Sequence, residues 1–299
     1  MSYMKKSKVL NLALLFLIAM IWGFAFVAQL DGVQHVGSFT MNGVRFTVGV
    51  ISLVPVVLFL EKGKRGKEER KRTVIASVVA GSVLFLASTF QQIGIEKTGS
   101  AGVAGFITGL YTVLIPVVCF FLFKQKTGLN MWMGALLSLL GLFLLCYKAD
   151  EGLSFGFGEL MLLIGAFFWT AHVIVIDRFC KDIRPLHFSL GQFVVCAILG
   201  VATMFIFETP TFEGIWSAKW AILYCGVLSV GVAYTLQVVA QRRVDPTFAA
   251  IVLSTESVFS AIGGAIFGTD SISPLGYLGC VIMFCGIILS QITFSVKKK

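Results

Sequence analysis

Glu256 is an acidic residue near the middle of a long apolar run. The run from Thr247 to Phe267 is long enough to cross a bilayer as a helix. One central acid costs about 3 kcal/mol on insertion, and the apolar residues around it contribute roughly 3 to 5 kcal/mol in the opposite direction. Acids inside membrane helices usually face a bundle interior or a cavity. We therefore interpret Glu256 as a residue that binds a substrate ammonium group or exchanges a proton. Hydrogen bonding to neighbouring hydroxyl groups is the structural alternative.

Aromatic residues and one histidine also lie inside apolar runs. Trp22, Phe26 and Gln29 share one face of the first run at helical spacing, and Trp169 and His172 share the matching face of the sixth. This pattern favours an aromatic cavity wall that stacks a planar or cationic solute, and packing against a neighbouring helix is the alternative. His172 could relay protons at physiological pH, or it could be a hydrogen-bonded packing residue. It has no partners that would favour a metal site.

Further polar side chains occupy corresponding positions in the two halves of the chain. The third run contributes Gln91, the fourth Thr108 and Tyr111, the eighth Tyr234 and Gln237, and the ninth Ser254. These groups suit hydrogen bonding to a zwitterionic or amide-bearing solute. Hydrogen bonds between helices, worth about 0.6 kcal/mol each, are the alternative. Arg45 lies a few residues from the outer end of the second run, where its side chain could snorkel to the membrane surface, and we assign it no partner.

The composition indicates a membrane protein rather than a water-soluble one. Of the 299 residues, 57% are hydrophobic and 13% are charged, against about 25% charged in a soluble domain. The net charge of +9 comes mostly from basic residues in the short segments between apolar runs, so it does not indicate nucleic acid. The expected partners are a small-molecule substrate and membrane lipid.

Ten apolar runs have the length of a membrane span, so the predicted fold class is an all-α integral membrane protein. The runs are Val9 to Leu30, Phe39 to Leu60, Thr73 to Ile95, Ala101 to Phe123, Asn130 to Tyr147, Phe157 to Ile176, His187 to Phe207, Ser217 to Gln241, Thr247 to Phe267 and Pro274 to Phe294. Twenty of the 24 Lys and Arg residues fall on the side of the N-terminus and three on the other side. By the positive-inside rule, both termini of this multi-pass protein are cytoplasmic, and the location is the inner cell membrane.

The two halves of the chain resemble each other in order. Trp22 matches Trp169 and Arg45-Phe46 matches Gln192-Phe193 at an offset of 147 residues; Gln91 matches Gln237 at 146; Gly134 and Gly141 match Gly279 and Gly286 at 145. The predicted domains are two five-helix repeats, residues 9–147 and 157–294. Because five is an odd number, the repeats must be inverted relative to each other in the membrane. Inverted repeats are typical of transporters that bind substrate near the midplane and work by alternating access.

Several stretches carry a resemblance to a known family. The segments MIWGFAFV and QQIGIEKTGSAGVAGFITGLYTVLIPV of the first half, and LQVVAQRRVDPTFAAIVLSTESVF of the second, resemble the tandem repeats of EamA-type proteins in the drug/metabolite transporter superfamily. The resemblance implies a ten-helix transporter with a central cavity that moves amino acids or other small metabolites. Two departures stand out: the usual Glu-Pro of the ninth span is Glu256-Ser257, and the acid usual after the fourth span is Gln125, whereas Asp270 keeps the acid after the ninth.

Motifs for P-loop nucleotide binding and for zinc-protease chemistry are absent from the sequence. It has no GxxxxGK[ST] or HExxH motif and no CxxC pair, and the segments between the apolar runs are too small for a catalytic domain, so we expect no cofactor and no enzymatic activity. The small-residue pairs Gly105 with Gly109 and Gly264 with Gly268 indicate helix packing within the chain, in a monomer or weak homodimer. A secondary transporter, with export favoured, is the predicted function. A membrane-embedded enzyme for lipid-linked substrates and a channel are the alternatives, and proton coupling is an open possibility.

Overall fold

The structure is a computed structural model that describes residues 2–63, 66–124, 128–148, 152–153, 155–179, 183–241, 252–270 and 272–291. Helices make up nearly all of it. They are α1 (Ser2–Gly32), α2 (Ser38–Leu60), α3 (Lys67–Thr98), α4 (Ala101–Gly109), α5 (Tyr111–Phe123), α6 (Leu129–Cys146), α7 (Phe157–Phe179), α8 (Pro185–Phe207), α9 (Phe212–Ser217), α10 (Lys219–Leu223), a π-helical segment (Tyr224–Ala233), α11 (Tyr234–Gln241), α12 (Glu256–Phe267) and α13 (Pro274–Gln291). Two short strands, β1 (Tyr147–Lys148) and β2 (Gly152–Leu153), pair antiparallel.

Eight helical stretches in the described part of the chain are long and apolar enough to cross a membrane. They are Ala13–Gly32, Ser38–Leu60, Lys67–Thr98, Ala101–Phe123, Leu129–Cys146, Phe157–Arg178, Pro185–Phe207 and Lys219–Gln237. Each overlaps one of the first eight predicted runs. The last two predicted runs correspond to the shorter apolar helices α12 and α13, and residues 247–251 and 292–294 of those runs lie outside the described residues.

Large apolar side chains cover the outside of the bundle. Ile51 and Leu58 of α2 are each 66% exposed, and Phe205 of α8 is 69% exposed. A water-soluble protein rarely leaves such residues exposed over a wide contiguous surface. The exposed apolar surface and the spanning helices together make this a multi-pass membrane protein.

The fourth spanning stretch is divided at Leu110. The Leu110 backbone N–H donates to the Ile107 carbonyl at 3.2 Å, which is a tighter turn than an α-helix makes, and α5 begins at the next residue. At the other end of the stretch, the Ser100 hydroxyl caps α4 by accepting from the Val103 N–H at 3.1 Å. The division places Thr108 and Tyr111 on either side of the turn.

The helices pack in pairs that join the two halves of the chain. Thus α2 packs against α8, α3 against α7, α6 against α13, and α1 and α4 against α12. The α6 and α13 backbones approach most closely at four glycines. A Cβ atom added to any of Gly134, Gly141, Gly279 or Gly286 would lie 2.5 to 2.6 Å from the carbonyl oxygen of the glycine opposite. Side chains at these positions would push the two helices apart.

Two glutamates cap the helices of the opposite half. Glu61, just after α2, accepts from the backbone N–H groups of Leu186 and His187 at 3.0 Å each, at the start of α8. Glu208, just after α8, accepts from the N–H groups of Phe39 and Thr40 at 2.9 and 2.8 Å, at the start of α2. A carboxylate at a helix N-terminus satisfies free N–H groups and interacts favourably with the helix dipole. The two contacts lie at opposite ends of the α2 and α8 pair, which is therefore antiparallel.

One end of the bundle is held by a second set of polar contacts. The Ser38 hydroxyl donates to Glu96 at 2.6 Å, and Asp270 accepts from the Ser100 hydroxyl at 2.7 Å and from the Gly102 N–H at 2.9 Å. Burial raises the pKa of the Asp270 carboxyl, and the hydrogen bonds from Ser100 and Gly102 oppose that rise. These contacts bring the start of α2, the end of α3, the start of α4 and the end of α12 together.

Candidate functional site

A cavity lies between the two halves of the chain. The empty space there, together with the solvent that is open to it, is about 730 Å³. The residues that line it come from α1 to α5 of the first half and from α7, the π-helical segment, α11 and α12 of the second half. They are Trp22, Ala25, Phe26, Gln29, Arg45, Phe46, Gln91, Thr108, Tyr111, Trp169, His172, Val173, Ile176, Ser229, Val230, Tyr234, Gln237 and Glu256.

The structure brings ten of the eleven residues selected from the sequence to this cavity. They are Trp22, Phe26, Gln91, Thr108, Tyr111, Trp169, His172, Tyr234, Gln237 and Glu256. Ser254 is the exception, since it is buried outside the cavity lining. Helical spacing predicts that Trp22 and Phe26 share one face of α1. Only the packing of the helices determines that this face and the face of α7 that carries Trp169 line the same cavity.

Aromatic rings form much of the wall. The Trp22 and Tyr234 ring centroids are 4.9 Å apart, and the Trp169 and His172 centroids are 5.8 Å apart with the rings nearly perpendicular. The Trp22 indole N–H donates to the Ser229 carbonyl at 3.3 Å. The indole N–H of Trp169 has no hydrogen-bond partner in the described part of the chain. The two repeat-related tryptophans therefore differ, because one indole N–H is satisfied within the protein and the other is not.

Several polar groups at the cavity are hydrogen-bonded within the protein. Gln91 donates through Nε2 to the Thr108 hydroxyl at 3.4 Å. His172 Nε2 lies 2.9 Å from Gln192 Oε1, so the two side chains are hydrogen-bonded. His172 is 2% exposed and this bond orients it, which fits the packing interpretation offered for it above.

Glu256 differs from these residues. It starts α12 and is 5% exposed. No hydroxyl or basic group among the described residues hydrogen-bonds to its carboxylate or pairs with it, and its neighbour Ser257 donates instead to the Gly105 carbonyl at 2.9 Å. The structural alternative, an acid bonded to nearby hydroxyls, has no such hydroxyl in the described chain. Glu256 therefore presents an unmatched acidic group to the cavity.

Arg45 is a cavity residue that the sequence interpretation missed. Its place near the outer end of the second run left snorkelling toward the membrane surface open, but the residue is 4% exposed and lines the cavity. The guanidinium also lies over the Phe46 ring, 5.2 Å from its centroid. A signal was available, because a charged residue inside a span usually faces the bundle interior, and this rule was applied to Glu256 and not to Arg45.

A metal or cofactor site is not evident in the described part of the chain. No group of three or more His, Cys, Asp or Glu residues there lies close enough to hold a metal ion. The cysteines that the structure describes, Cys119, Cys146, Cys196, Cys225, Cys280 and Cys285, are all free. The chemistry available at the cavity is recognition of a solute by aromatic faces, hydrogen bonds and two charges.

Comparisons with known proteins agree with this architecture. The model of the EamA-like transporter family matches residues 10–147 and again residues 156–292, so the chain belongs to this family. A protein of Archaeoglobus fulgidus called an uncharacterized transporter is 28% identical over 273 residues, covering 91% of this chain and 83% of the relative. The uncharacterized transporter YoaV of Bacillus subtilis is 25% identical over 286 residues, covering 94% and 96%.

A solved crystal structure has the same fold. It aligns with a TM-score of 0.70 at 19% sequence identity, covering 93% of this chain and 95% of the solved one. The family and the relatives' names make this a membrane protein of a transporter family. The resemblance stated from the sequence is thereby confirmed.

Proposed function

We propose that this protein is a secondary transporter that moves small organic metabolites, amino acids or related compounds, by alternating access. The observation that carries the proposal is Glu256, an unpartnered acidic group at a cavity between two packed halves. A carboxylate in this position suits a solute that carries an ammonium group. The surrounding aromatic rings suit the apolar part of such a solute, since aromatic faces attract both apolar groups and cations.

We further propose that the fold consists of ten transmembrane helices in two inverted five-helix repeats, residues 9–147 and 157–294. The reciprocal caps of Glu61 and Glu208 support this, because the two residues are 147 positions apart and the N–H groups that they accept from are also 147 apart. The α6 and α13 contact supports it too. At the repeat offset of 145 residues, Gly134 corresponds to Gly279 and Gly141 to Gly286. The contact of Gly134 with Gly286 is therefore the repeat equivalent of the contact of Gly279 with Gly141.

In this proposal the cavity is the substrate site, and rocking of one half against the other exposes it to each side in turn. The ten lining residues selected from the sequence are the proposed substrate-binding residues, and Ser254 stays a sequence prediction. Both termini are proposed to be cytoplasmic, with export as the working direction. Proton exchange at Glu256 during each cycle is the proposed form of coupling, which a pH gradient across the vesicle membrane tests directly.

The experiment that tests the function is counterflow in proteoliposomes. Vesicles loaded with one unlabelled amino acid at a time are diluted into a trace of the same labelled compound, with native protein and with Glu256→Gln. Transient accumulation with native protein and its loss in the variant would support a carrier that uses Glu256. Accumulation that persists in Glu256→Gln would mean that Glu256 has a structural role instead. If none of the amino acids accumulates, the proposal that the substrate is an amino acid is wrong.

A control variant separates loss of function from loss of fold. Glu213→Gln changes an exposed glutamate outside the cavity, and its counterflow is expected to equal that of the native protein. Both variants are compared at equal amounts of reconstituted, monodisperse protein.

A further inference from the structure

Arg45 places a positive charge at the cavity without a carboxylate to match it. It lies on α2 two turns after the helix start, at 4% exposure, and the described residues supply no ion-pair partner for it. The side chain of arginine ends in a guanidinium cation with five N–H donors. A buried charge without an opposite charge is expensive unless a ligand supplies one.

A polar network fixes the guanidinium in place. Arg45 donates through Nε to Asn42 Oδ1 at 3.0 Å and through Nη1 to Gln29 Oε1. Asn42 is itself held, because its amide donates to the hydroxyls of Ser88 and Thr89 at 3.0 and 3.1 Å. These two bonds to neutral acceptors use only part of the five N–H groups of the arginine. The network orients the arginine without neutralising it.

The repeat-related position in the second half carries no charge. Position 45 corresponds to Gln192 in the second half, and Gln192 is satisfied by His172 at 2.9 Å. The position that corresponds to His172 in the first half is Ala25, which also lines the cavity and has no side chain that could accept a hydrogen bond from Arg45. Glu256 likewise corresponds to the uncharged Leu110. One half therefore supplies a basic residue to the cavity and the other half an acidic one.

The two residues lie at different depths. Arg45 is seven residues from the start of α2 and Glu256 is eleven from the end of α12, and these two helix ends meet at the same end of the bundle. At a rise of 1.5 Å per residue, their backbones differ in depth by roughly 6 Å. A solute between them would therefore meet the two side chains at different levels of the cavity.

We propose that Arg45 binds the carboxylate of a zwitterionic substrate whose ammonium group faces Glu256. The inference rests on the proposed transport function and narrows its substrate class to compounds that carry both charges. An arginine fork binds a carboxylate through two parallel hydrogen bonds, so the site would orient the substrate as well as hold it. The Trp22, Trp169 and Tyr234 rings would then contact the apolar side chain.

The first test uses the native protein and matched ligands. L-leucine and L-phenylalanine are titrated by calorimetry into purified protein, each beside its methyl ester, which lacks the carboxylate charge, and its N-acetyl derivative, which lacks the ammonium charge. Each derivative is expected to bind about 10- to 100-fold more weakly than the parent, the range for a lost hydrogen bond to a charged group. Equal binding of the acid and the ester, or no binding of either amino acid, would overturn the inference.

The second test assigns the carboxylate preference to Arg45. In Arg45→Gln the preference for the acid over the ester is expected to fall to within about threefold, because the charge is gone, while Arg45→Lys keeps part of it. Arg184→Gln, which changes an arginine that pairs with Glu69 at 3.3 Å outside the cavity, is expected to keep the full preference. A preference that survives intact in Arg45→Gln would overturn the assignment.

The outcomes separate this inference from the proposed function. If amino acids undergo counterflow but the ester binds as well as the acid, only the role of Arg45 fails. If nothing undergoes counterflow, the transport proposal fails in its amino-acid form. If Arg45→Gln does not give folded protein, the ligand series on the native protein decides the inference alone.

Discussion

Glu61 and Glu208 occupy equivalent positions in the two halves and form reciprocal helix caps. Glu61 follows α2 and caps the first turn of α8, and Glu208 follows α8 and caps the first turn of α2. Glu61 accepts from the start of α8 and Glu208 from the start of α2, so one antiparallel helix pair is fastened at both ends by the same device. Each glutamate carries an additional contact, with His187 Nδ1 at 2.6 Å for Glu61 and the Thr40 hydroxyl at 2.6 Å for Glu208. The two caps therefore fasten one helix of the first half to one helix of the second at both of their ends.

Removal of one cap is expected to destabilise the protein. Glu208→Ala leaves the N–H groups of Phe39 and Thr40 without their acceptor, and the loss of a helix cap costs about 0.5 to 2 kcal/mol. Glu208→Gln keeps one acceptor oxygen and should lose less. Thermal unfolding in detergent measures both, with Glu213→Ala as the matched exposed control that should leave the melting temperature unchanged. Equal melting temperatures for Glu208→Ala and the native protein would contradict a capping role.

The close approach of α6 and α13 is expected to tolerate no side chain. In Gly141→Leu the new side chain meets the Gly279 carbonyl and Met283, and overpacking of this kind costs about 1 to 3 kcal/mol or more. We expect a lower melting temperature and a lower yield of monodisperse protein. Ala202→Leu makes a similar change at an exposed position of α8 and should behave as the native protein does. A stable Gly141→Leu would show that the two backbones can separate at little cost.

Substrate binding is expected to change tryptophan fluorescence through two of the five tryptophans. Trp22 and Trp169 line the cavity, whereas Trp216 and Trp220 are 60% and 72% exposed and lie outside its lining. A ligand in the cavity changes the polarity around the first pair only. Trp22→Phe and Trp169→Phe should each lose part of the ligand-induced signal, and Trp216→Phe should keep all of it. A signal that depends on Trp216 would locate the ligand elsewhere.

The orientation of the chain can be tested with single cysteines in a variant that lacks the native seven. Glu213→Cys lies in the α9 segment after α8, and Glu68→Cys lies at the start of α3. With both termini cytoplasmic, a membrane-impermeant maleimide should label Glu213→Cys on intact cells and Glu68→Cys only after permeabilisation. The reverse pattern would invert the proposed topology, and it would leave the cavity unchanged.

The sequence alone determined the class of protein and most of the cavity. Apolar runs of spanning length specify membrane helices because a bilayer leaves the backbone no other way to satisfy its hydrogen bonds. Helical spacing then placed Trp22 with Phe26 and Trp169 with His172, since side chains three and four residues apart share a face. Repeat offsets added Gln91 and Gln237, and all of these residues line the cavity.

The tertiary structure decided what depends on contacts between distant segments. Spacing within a helix does not say which face a neighbouring helix covers, so it included Ser254 and left out Ser229 and Val230. Nor does it say whether a charged side chain turns inward. Arg45 turns inward because Gln29 of α1 and Asn42 of α2 accept hydrogen bonds from its guanidinium. Asn42 is held in turn by the hydroxyl groups of Ser88 and Thr89 on α3. Glu256, on a helix from the other half, lines the same cavity without such partners, and only the packing of the two halves brings both residues to one cavity.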